Sequence, residues 1–427
     1  MKKKILPIIV TLIILFFTSS ANYEMLYNKL EAEHKYIQNQ IKAEEVKIQG
    51  INNKSVIVRD SKDTARETTP VEYPNMQLHA IGAALMDADS GRVLFERKGY
   101  EPLPMASTTK IMTCIVALEE ANLDDIVTVS KYASTMPNVQ LGIKEGEQYK
   151  LNDLLYSLML ESHNDAAVAI AEHIGGSVQG FAKMMNEKAK EIGCENTHFV
   201  TPNGLDANGH YSTAVDMSRI ASYAIKNKQF IKITNESIWN FSEVKTGKKI
   251  AVSNKDRFLY IFDGAIGVKT GFTGKAGYCF VGAVKKNNKT LVSAVLGCGW
   301  PPNKGLKWKD TTKLMNYGLD NFEYKTIFEG TDDFQSIMVD KGIEKITDTY
   351  VEGHLDLLLS ENDKVDYTYD MPEMVKAPIY KGSAVGYINV WINGEIYKQF
   401  PIRVSKTVME RDFNYCLDEI FKMFKIK

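Results

Sequence analysis

One four-residue pattern in the sequence combines a hydroxyl with an amine at a spacing that suits acyl transfer. Lys110 follows Ser107 by three residues, and the pair opens a long apolar stretch, Ile111 to Leu118. This context predicts that Ser107 lies at a helix N-terminus and that Lys110 lies one turn further on, on the same face. The amine is then within reach of the hydroxyl, and the helix N-terminus favours the negative charge that develops as the hydroxyl loses its proton. We therefore predict Ser107 as a nucleophile and Lys110 as its base, with a simple N-cap as the alternative for Ser107.

A second candidate group, Ser162-His163-Asn164, lies between two predicted helices, Asn152 to Leu160 and Ala166 to His173. A tight corner of this kind can project the hydroxyl of Ser162 and the amide of Asn164 into a cleft. The alternative is that one of these two side chains only caps the following helix.

A third candidate group, Lys269-Thr270-Gly271, stands at the start of a predicted strand. A cation and a hydroxyl on an edge strand, with a glycine that leaves the cleft open, form a rim that suits a substrate carboxylate. Second copies of both lysine patterns occur within residues 242–247, but their charged surroundings predict an exposed hairpin turn. Context, and not the short pattern, therefore distinguishes the candidates.

The elements around these groups predict one α+β domain over residues 76–322. Strands are predicted at its start, near Ala80–Met86, and again from Ile266 to Cys298, where residues 286–289 form a hairpin turn. Helical patterns dominate between them, from Ser107 to about Lys226. We expect an antiparallel sheet that brings the start of this domain against its end, with helices packed beside it.

The flanking segments have other characters. Residues 1–21 combine three lysines, an apolar run and small residues, which is typical of a cleaved export signal; the run is short for a spanning helix, and an uncleaved anchor is the alternative. We predict a polar helix and a linker for residues 22–75, and a small all-β domain for residues 323–405. Apolar residues recur on one helical face within 406–427, which favours an amphipathic helix at a membrane surface over a helix docked on its own protein.

The composition argues against several classes of function. The net charge is −1 at pH 7, so nothing indicates nucleic acid as a partner. The five cysteines are scattered and are best explained as buried thiols, with a bridge between Cys279 and Cys298 as the alternative. No set of histidines has metal-ligand spacing, so the sequence predicts neither a metal nor a cofactor.

The order Ser-x-x-Lys, Ser-x-Asn, Lys-Thr-Gly resembles that of the penicillin-interacting serine enzymes. Within this class the chain resembles, over roughly 78–405, the low-molecular-mass penicillin-binding proteins, which are serine-type D-Ala-D-Ala carboxypeptidases. Further segments carry the resemblance in the same order: Glu145-Gly146-Glu147, Asn164-Asp165-Ala166-Ala167, Thr201-Pro202-Asn203-Gly204-Leu205-Asp206, Gly209-His210-Tyr211-Ser212-Thr213-Ala214 and Lys269-Thr270-Gly271-Phe272-Thr273. The signal peptide, β-rich C-terminal domain and terminal anchor of that family match the flanking segments.

The resemblance implies a transpeptidase- or β-lactamase-like fold for residues 76–322, and it implies a reaction. Ser107 attacks the carbonyl between the two terminal D-alanines of a peptidoglycan stem peptide while Lys110 takes its proton, and water then releases the acyl group. Lys110 must be neutral for this, through burial and the nearby charge of Lys269. Ser162 relays a proton toward the leaving amine, and Asn164 holds the substrate's backbone amide.

The resemblance also implies how the substrate is bound. Lys269 and Thr270 receive the terminal carboxylate at a rim that Gly271 keeps open. The backbone N–H groups of Ser107 and Phe272 form the oxyanion hole. β-Lactam antibiotics are then expected to acylate Ser107 and inhibit the enzyme.

One departure from the family and two rival functions stay open at this point. The middle residue of the Ser-x-Asn corner is most often glycine in the family and is His163 here; we expect an altered cleft shape, with His163 as the general base as the alternative. A β-lactamase needs a deacylation base, for which Glu195 is the candidate by position, although its surroundings match the carboxypeptidase pattern. A catalytically dead wall-binding protein is the second rival, and the intact set of site residues argues against it.

Overall fold

The fold is that of a computed structural model, and the structure describes residues 46–49, 55–60 and 73–423. The predicted export signal and most of the predicted N-terminal helix lie outside these residues. Contacts divide the chain into two compact units, one over Glu72–Glu323 and one over Tyr324–Lys427 with Met1–Val71. In the part of the chain that is described, no helix is long and apolar enough to cross a membrane.

The helices are α1 (Lys110–Glu120), α2 (Lys131–Ser134), α3 (Leu151–Leu160), α4 (Asn164–Gly175), α5 (Val178–Ile192), α6 (Ala214–Ala224), α7 (Lys228–Asn235), α8 (Phe258–Ile261), α9 (Leu306–Asn321) and α10 (Phe413–Met423), and a 3-10 turn covers Ala106–Thr109. The strands are β1 (Val46–Gln49), β2 (Ser55–Asp60), β3 (Gly82–Asp87), β4 (Val93–Arg97), β5 (Ile126–Thr128), β6 (Gln148–Lys150), β7 (Ile238–Ser242), β8 (Lys249–Ser253), β9 (Ala265–Thr273), β10 (Gly277–Lys286), β11 (Lys289–Leu296), β12 (Glu323–Thr331), β13 (Ile337–Asp340), β14 (Ile346–Thr347), β15 (Thr349–Leu359), β16 (Val365–Asp370), β17 (Met374–Lys376), β18 (Ala384–Ile392) and β19 (Glu395–Val404).

The main sheet of the first unit has five antiparallel strands in the order β4-β3-β11-β10-β9. Strand β11 pairs with β3, with Val295 opposite Ala83, so the end of the domain closes against its start. Asn287 and Asn288 join β10 to β11 with φ angles of 52° and 59°, as a type I′ turn requires. The predicted α+β fold with an antiparallel sheet and helices is confirmed.

Helices cover the sheet and enclose α1. All six residues of β3 are buried, and both α6 and α9 pack against β3 and β11. Helix α1 contacts α3, α4, α5 and α6, and its residues from Lys110 to Ala117 are all buried. A helix that is surrounded in this way is apolar on all sides. The amine of its first residue, Lys110, is therefore enclosed in protein.

The second unit is built from β-strands, as predicted for its C-terminal part. A seven-stranded sheet has the order β1-β2-β16-β18-β19-β15-β12, and a three-stranded sheet has the order β14-β13-β17. The prediction for residues 22–75 was wrong where a helix or linker was expected at 46–49 and 55–60, because both segments are strands. Strand β2 pairs in parallel with β16. A short run with β-branched residues becomes a strand here because a distant strand offers it an edge, and local sequence does not reveal that partner.

The cysteines are free thiols. Cys114, Cys279 and Cys298 are buried, Cys194 is partly buried and Cys416 is exposed. The alternative of a bridge between Cys279 and Cys298 is therefore not realised. Burial raises the pKa of Cys279 to about 12, so its sulfur stays protonated and packs as a small apolar group.

Candidate active site

Ser107 and Lys110 meet where the 3-10 turn joins α1. The amine nitrogen Nζ of Lys110 lies 3.0 Å from Oγ of Ser107. Ser107 lies within the 3-10 turn, and Lys110 is the first residue of the α-helix. Ser107 is partly exposed, whereas Lys110 is fully buried. A molecule in the cleft can therefore reach the hydroxyl while the amine stays shielded from water.

Ala106, the residue before Ser107, adopts a backbone conformation that alanine rarely takes. Its φ angle is 50°, in the left-handed region. The carbonyl of Ala106 accepts a hydrogen bond from Oγ1 of Thr109 at 2.8 Å, and that hydroxyl lies 2.9 Å from Nε2 of His210. Because Nδ1 of His210 accepts from the backbone N–H of Val200 at 3.0 Å, Nε2 carries the proton and donates to Thr109. This chain of hydrogen bonds holds the strained backbone that presents Ser107.

The amine of Lys110 has two further partners. It donates to Oδ1 of Asn164 at 2.9 Å and to the carbonyl oxygen of Asn203 at 2.5 Å. Burial lowers the pKa of Lys110 well below its ordinary value, and the charge of Lys269 lowers it further, whereas Asp165 opposes both. A lysine with a depressed pKa can be neutral and accept a proton.

The predicted corner between α3 and α4 lies beside this amine. Ser162 has a φ angle of 71°, and its buried Oγ has no hydrogen-bond partner within the described residues. Asn164 begins α4, and its Nδ2 donates to the carbonyl of Pro137 at 3.0 Å. The carboxylate of Asp165 accepts from the backbone N–H groups of residues 141 and 142 at 2.9 and 2.8 Å. The corner is thus fixed to the segment 137–142, and it keeps one hydroxyl available.

His163, at the same corner, is engaged elsewhere. Its Nδ1 lies 2.8 Å from Oγ of Ser157, and its Nε2 lies 3.3 Å from a carboxylate oxygen of Glu161. Burial lowers the pKa of this histidine, so the ring is neutral at neutral pH. Both ring nitrogens have partners other than Ser107, and the geometry therefore favours Lys110 over His163 as the base.

Strand β9, which carries Lys269, Thr270 and Gly271, is the edge strand of the main sheet and packs beside the 3-10 turn. Tyr278 on β10 bonds through both its N–H and its C=O to residues 298–299, away from β9. It lies opposite Phe272. Because antiparallel neighbours alternate between bonded and non-bonded pairs, the N–H of Phe272 points to the free edge of β9. That edge faces the turn that carries Ser107.

The amine of Lys269 is enclosed near this edge. Its side chain is 2% exposed, and Nζ donates to the carbonyl of Thr270 at 3.1 Å. Burial lowers the pKa of Lys269 to about 7; Asp256 raises this pKa and Lys307 lowers it. The amine of Lys307, a further buried lysine, lies 4.7 Å from the ring centre of Tyr278.

Three residues of the site were not predicted from the sequence: Asn203, Asp256 and Lys307. Asn203 contributes a backbone carbonyl, which carries no side-chain signal. Asp256 and Lys307 lie outside any short pattern and reach the site only because α8 and α9 pack against β9 and β10. A buried lysine or aspartate looks like a surface residue until its tertiary surroundings are known.

The second copies of the lysine patterns lie in an exposed hairpin turn, as predicted. They occupy the turn between β7 and β8, where the carboxylate of Glu243 accepts from the hydroxyl of Thr246 at 2.7 Å. Ser242 and Lys245 are exposed. Glu195, the candidate deacylation base of the rival β-lactamase, is exposed on the loop after α5.

Two models of known protein families match the chain, and one of them covers the region that contains the site. The family model of Peptidase S11, described as D-alanyl-D-alanine carboxypeptidase, matches residues 66–299. The chain belongs to this family. A second model, the penicillin-binding protein 5 C-terminal domain, matches residues 322–410. The predicted family, that of serine-type D-alanyl-D-alanine carboxypeptidases and low-molecular-mass penicillin-binding proteins, is confirmed, and so is the hydrolase class.

Individual relatives of this family align over most of the chain. D-alanyl-D-alanine carboxypeptidase DacF of Bacillus subtilis is 31% identical over 342 residues, which cover 78% of this chain and 87% of that protein. D-alanyl-D-alanine carboxypeptidase DacB2 of Mycobacterium tuberculosis is 40% identical over 236 residues, or 55% of this chain and 80% of that protein. Penicillin-binding protein 5 of Haemophilus influenzae superposes with a TM-score of 0.66 at 27% identity, over 79% of this chain and all (100%) of that chain. A Streptomyces K15 DD-transpeptidase variant gives a TM-score of 0.55 at 34% identity, over 58% of this chain and 100% of that one.

Proposed function

We propose that the chain removes the terminal D-alanine from the pentapeptide stems of peptidoglycan through an acyl-enzyme on Ser107, and thereby limits cross-linking. The observation that carries the proposal is the 3.0 Å contact between Oγ of Ser107 and the buried amine of Lys110. This pair is a nucleophile next to a base with a depressed pKa, which is the requirement for covalent catalysis by a serine. Family membership supplies the substrate class.

In the proposed first step, Oγ of Ser107 attacks the carbonyl carbon of the penultimate D-alanine, and neutral Lys110 accepts the hydroxyl proton. The bond to the terminal D-alanine breaks, and the proton passes through the hydroxyl of Ser162 to the leaving amine. Water then attacks the ester with Lys110 as the base, and Oγ of Ser107 regains a proton as the acid leaves. The support for Ser162 is its buried Oγ, which has no other partner among the described residues.

The proposed binding groups surround this reaction. The backbone N–H groups of Ser107 and Phe272 stabilise the oxyanion. Lys269 and Thr270 bind the terminal carboxylate, and Gly271 lets β9 approach the turn. The side-chain amide of Asn164 donates one hydrogen to the carbonyl of Pro137, and its second hydrogen can be donated to a substrate carbonyl. A β-lactam that carries a carboxylate engages the same groups and acylates Ser107.

The proposal extends to location. Residues 1–21 have the character of an export signal, so the enzyme is proposed to work in the cell-wall space at the outer face of the cytoplasmic membrane. Helix α10 is proposed to lie in the membrane surface. The support is that none of its residues from Phe413 to Lys422 is buried, although one face is apolar.

Intact mass after incubation with benzylpenicillin tests the proposal. We expect one lasting adduct that Ser107→Ala abolishes and that Ser242→Ala, a matched change in the exposed turn, leaves unchanged. Release of D-alanine from a synthetic pentapeptide should be lost in the same variant. Rapid turnover of the adduct would favour a β-lactamase, and the absence of any adduct would contradict both enzymes.

A further inference from the structure

A buried carboxylate, Asp256, lies next to the strand that carries Lys269. Its side chain is 5% exposed. One oxygen, Oδ1, accepts from the backbone N–H of Phe258 at 2.9 Å, whereas Oδ2 is buried with no hydrogen-bond partner in the described part of the chain. A carboxylate removed from water with an unpaired oxygen destabilises the fold unless a nearby positive charge compensates. Nearby positive charges must therefore compensate this carboxylate.

The segment that carries Asp256 is held firmly. The amide of Asn254 donates to the carbonyls of Thr234 and Glu236 at 2.8 and 3.0 Å, and its Oδ1 accepts from the backbone N–H of Asp256 at 2.9 Å. These bonds cross from the loop before α8 to the end of α7. These bonds fix the backbone at Asp256, and the bond from the N–H of Phe258 holds the carboxylate in its buried position.

The same segment touches both lysine-bearing elements. Helix α8, which follows Asp256, packs against β9. Its first residue, Phe258, stacks with Trp308 of α9 at 6.5 Å between ring centres. Trp308 is the neighbour of Lys307, whose amine lies 4.8 Å from the same indole ring. Asp256 therefore stands beside the elements that bring both buried amines to the site.

The charges in this cluster act on one another. Asp256 raises the pKa of Lys269, against burial and Lys307, and the net result is a pKa of about 7. Burial raises the pKa of Asp256 to about 6, against the charges of Lys269 and Lys307. Burial lowers the pKa of Lys307 to about 8; Lys304 lowers it further, whereas Cys279, Cys298 and Asp256 raise it. The charge of Lys269 in turn lowers the pKa of Lys110 and the pKa of His163.

We propose that Asp256 is a positioning residue of this active site, whose carboxylate keeps Lys269 in the ammonium form that binds the substrate carboxylate. The inference rests on the proposed role of Lys269. Two ammonium groups and one carboxylate leave a single net positive charge in the cluster, which one substrate carboxylate neutralises. Without Asp256, two like charges would share a dry site, and the amine of Lys269 would give up its proton at lower pH.

Asp256→Asn tests this inference, since asparagine has almost the same shape and keeps an oxygen for the N–H of Phe258. The second-order rate constant for acylation of Ser107 by benzylpenicillin is measured from pH 5 to 9. If the pKa of Lys269 is about one unit lower in this variant, acylation at pH 8 is about tenfold slower than in the parent protein. At pH 5.5 the two proteins agree within about twofold, because Lys269 is protonated in both and Asp256 is itself neutral there. A structural defect would slow acylation at every pH.

Two controls separate charge from fold. The methyl ester of benzylpenicillin lacks the carboxylate. Ser107 of the parent and of Asp256→Asn should therefore be acylated by the ester at equal rates at each pH. Asp263→Asn removes an exposed carboxylate that pairs with Lys286 and should leave the profile unchanged. Asp256→Ser is a smaller neutral variant that should show the same dependence of acylation rate on pH as Asp256→Asn. It takes the place of Asp256→Asn if the asparagine variant does not fold.

The outcomes distinguish this inference from the proposed function. Equal rates at pH 8, or an equal loss with the acid and the ester, would overturn the role of Asp256. Lys269→Met should weaken acylation by the acid but not by the ester. If it does so while Asp256→Asn has no effect, Lys269 binds the carboxylate without help from Asp256. If neither variant separates acid from ester, the role of Lys269 is itself wrong, and the inference fails with it.

Discussion

Gly271 and Ser107 approach each other so closely that a side chain on the glycine would crowd the backbone of the 3-10 turn. A Cβ built on Gly271 would lie 3.0 Å from the backbone nitrogen of Ser107, 3.1 Å from Cβ of Ala106 and 3.1 Å from the backbone nitrogen of Thr108. Two of these three contacts are with backbone atoms of the 3-10 turn, which cannot move aside as a flexible side chain would. The glycine at the third position of the Lys-Thr-Gly pattern thus sets the distance between the edge strand and the nucleophile.

Gly271→Ala should therefore slow acylation without unfolding the protein. The added methyl group pushes β9 away from the turn and displaces the N–H of Phe272 from the oxyanion position. Loss of one such donor costs about 10²- to 10³-fold in rate. The matched control is Gly274→Ala, where an added Cβ meets nothing within 4 Å. Acylation by benzylpenicillin, followed by intact mass, should fall only in Gly271→Ala, and equal rates in both variants would contradict the proposed oxyanion hole.

Lys110→Arg should abolish base catalysis, because it places a permanent cation beside Ser107. Arginine stays protonated at all accessible pH values, so it cannot accept the proton of Ser107. General-base catalysis contributes about 10²- to 10⁴-fold, and the acylation rate should fall by about that factor. In the parent protein the rate should also fall as the pH is lowered, because protonation of Lys110 removes the base. Lys245→Arg, in the exposed turn after β7, should behave like the parent in both respects. An acylation rate of the parent that does not depend on pH would argue against Lys110 as the base.

The sequence was sufficient to predict the groups that lie within one turn or one corner of each other. Ser107 and Lys110 are three residues apart, and Ser162 and Asn164 are two apart, so their relative placement depends on local backbone geometry. Lys269 was predicted at the start of a strand, and it lies on β9, the edge strand of the main sheet.

Contacts between distant segments could not be predicted in this way. The carbonyl of Asn203 meets Lys110 across a separation of 93 residues. Asp256 lies on an unremarkable polar segment, and only tertiary packing removes it from water. Strand β2 was missed for the same reason, since its partner β16 lies about 300 residues further along the chain. His163 was left open as a base because its partners, Ser157 and Glu161, became evident only from the side-chain geometry.

His210 should make the stability of the first unit depend on pH. Burial lowers its pKa to about 4 from 6.5. A group whose pKa is depressed on folding contributes stability above its unfolded pKa, and that stability is lost as the pH falls from about 6.5 through about 4. The difference corresponds to about 3 kcal/mol. His210→Gln keeps a hydrogen-bonding group but cannot titrate, so its free energy of unfolding should fall less than that of the parent between pH 7 and pH 4.

Urea unfolding at several pH values measures this difference. His198→Gln is the control, because His198 is exposed and bonds through Nδ1 to the carbonyl of Gly209 at 2.6 Å. Other titrating groups are common to all three proteins and cancel in the comparison. If His210→Gln and the parent lose stability in parallel on acidification, His210 does not stay neutral in the fold. The support that it gives to Thr109 and Ala106 would then need another explanation.

Helix α10 should bind lipid through its apolar face. Ile420 lies on that face, and Asp418 lies on the opposite, polar face. Residues 406–427 carry five basic and four acidic groups, so charge contributes little and apolar insertion must supply most of the binding. Burying one isoleucine side chain is worth about 1.5–3 kcal/mol. Ile420→Glu should thus lower the partition coefficient of residues 22–427 into phosphatidylglycerol–phosphatidylethanolamine vesicles by about tenfold or more.

Asp418→Asn is the matched control for this prediction, since it changes the polar face of the same helix and should leave partitioning almost unchanged. Raising the salt concentration separates the two contributions, because screening weakens electrostatic attraction and leaves apolar insertion intact. Binding that survives high salt but is lost in Ile420→Glu supports a helix that lies in the interface. Equal binding of Ile420→Glu and the parent would instead mean that α10 is not the membrane contact. The penicillin acylation rate should stay the same in both variants, since neither residue belongs to the proposed site.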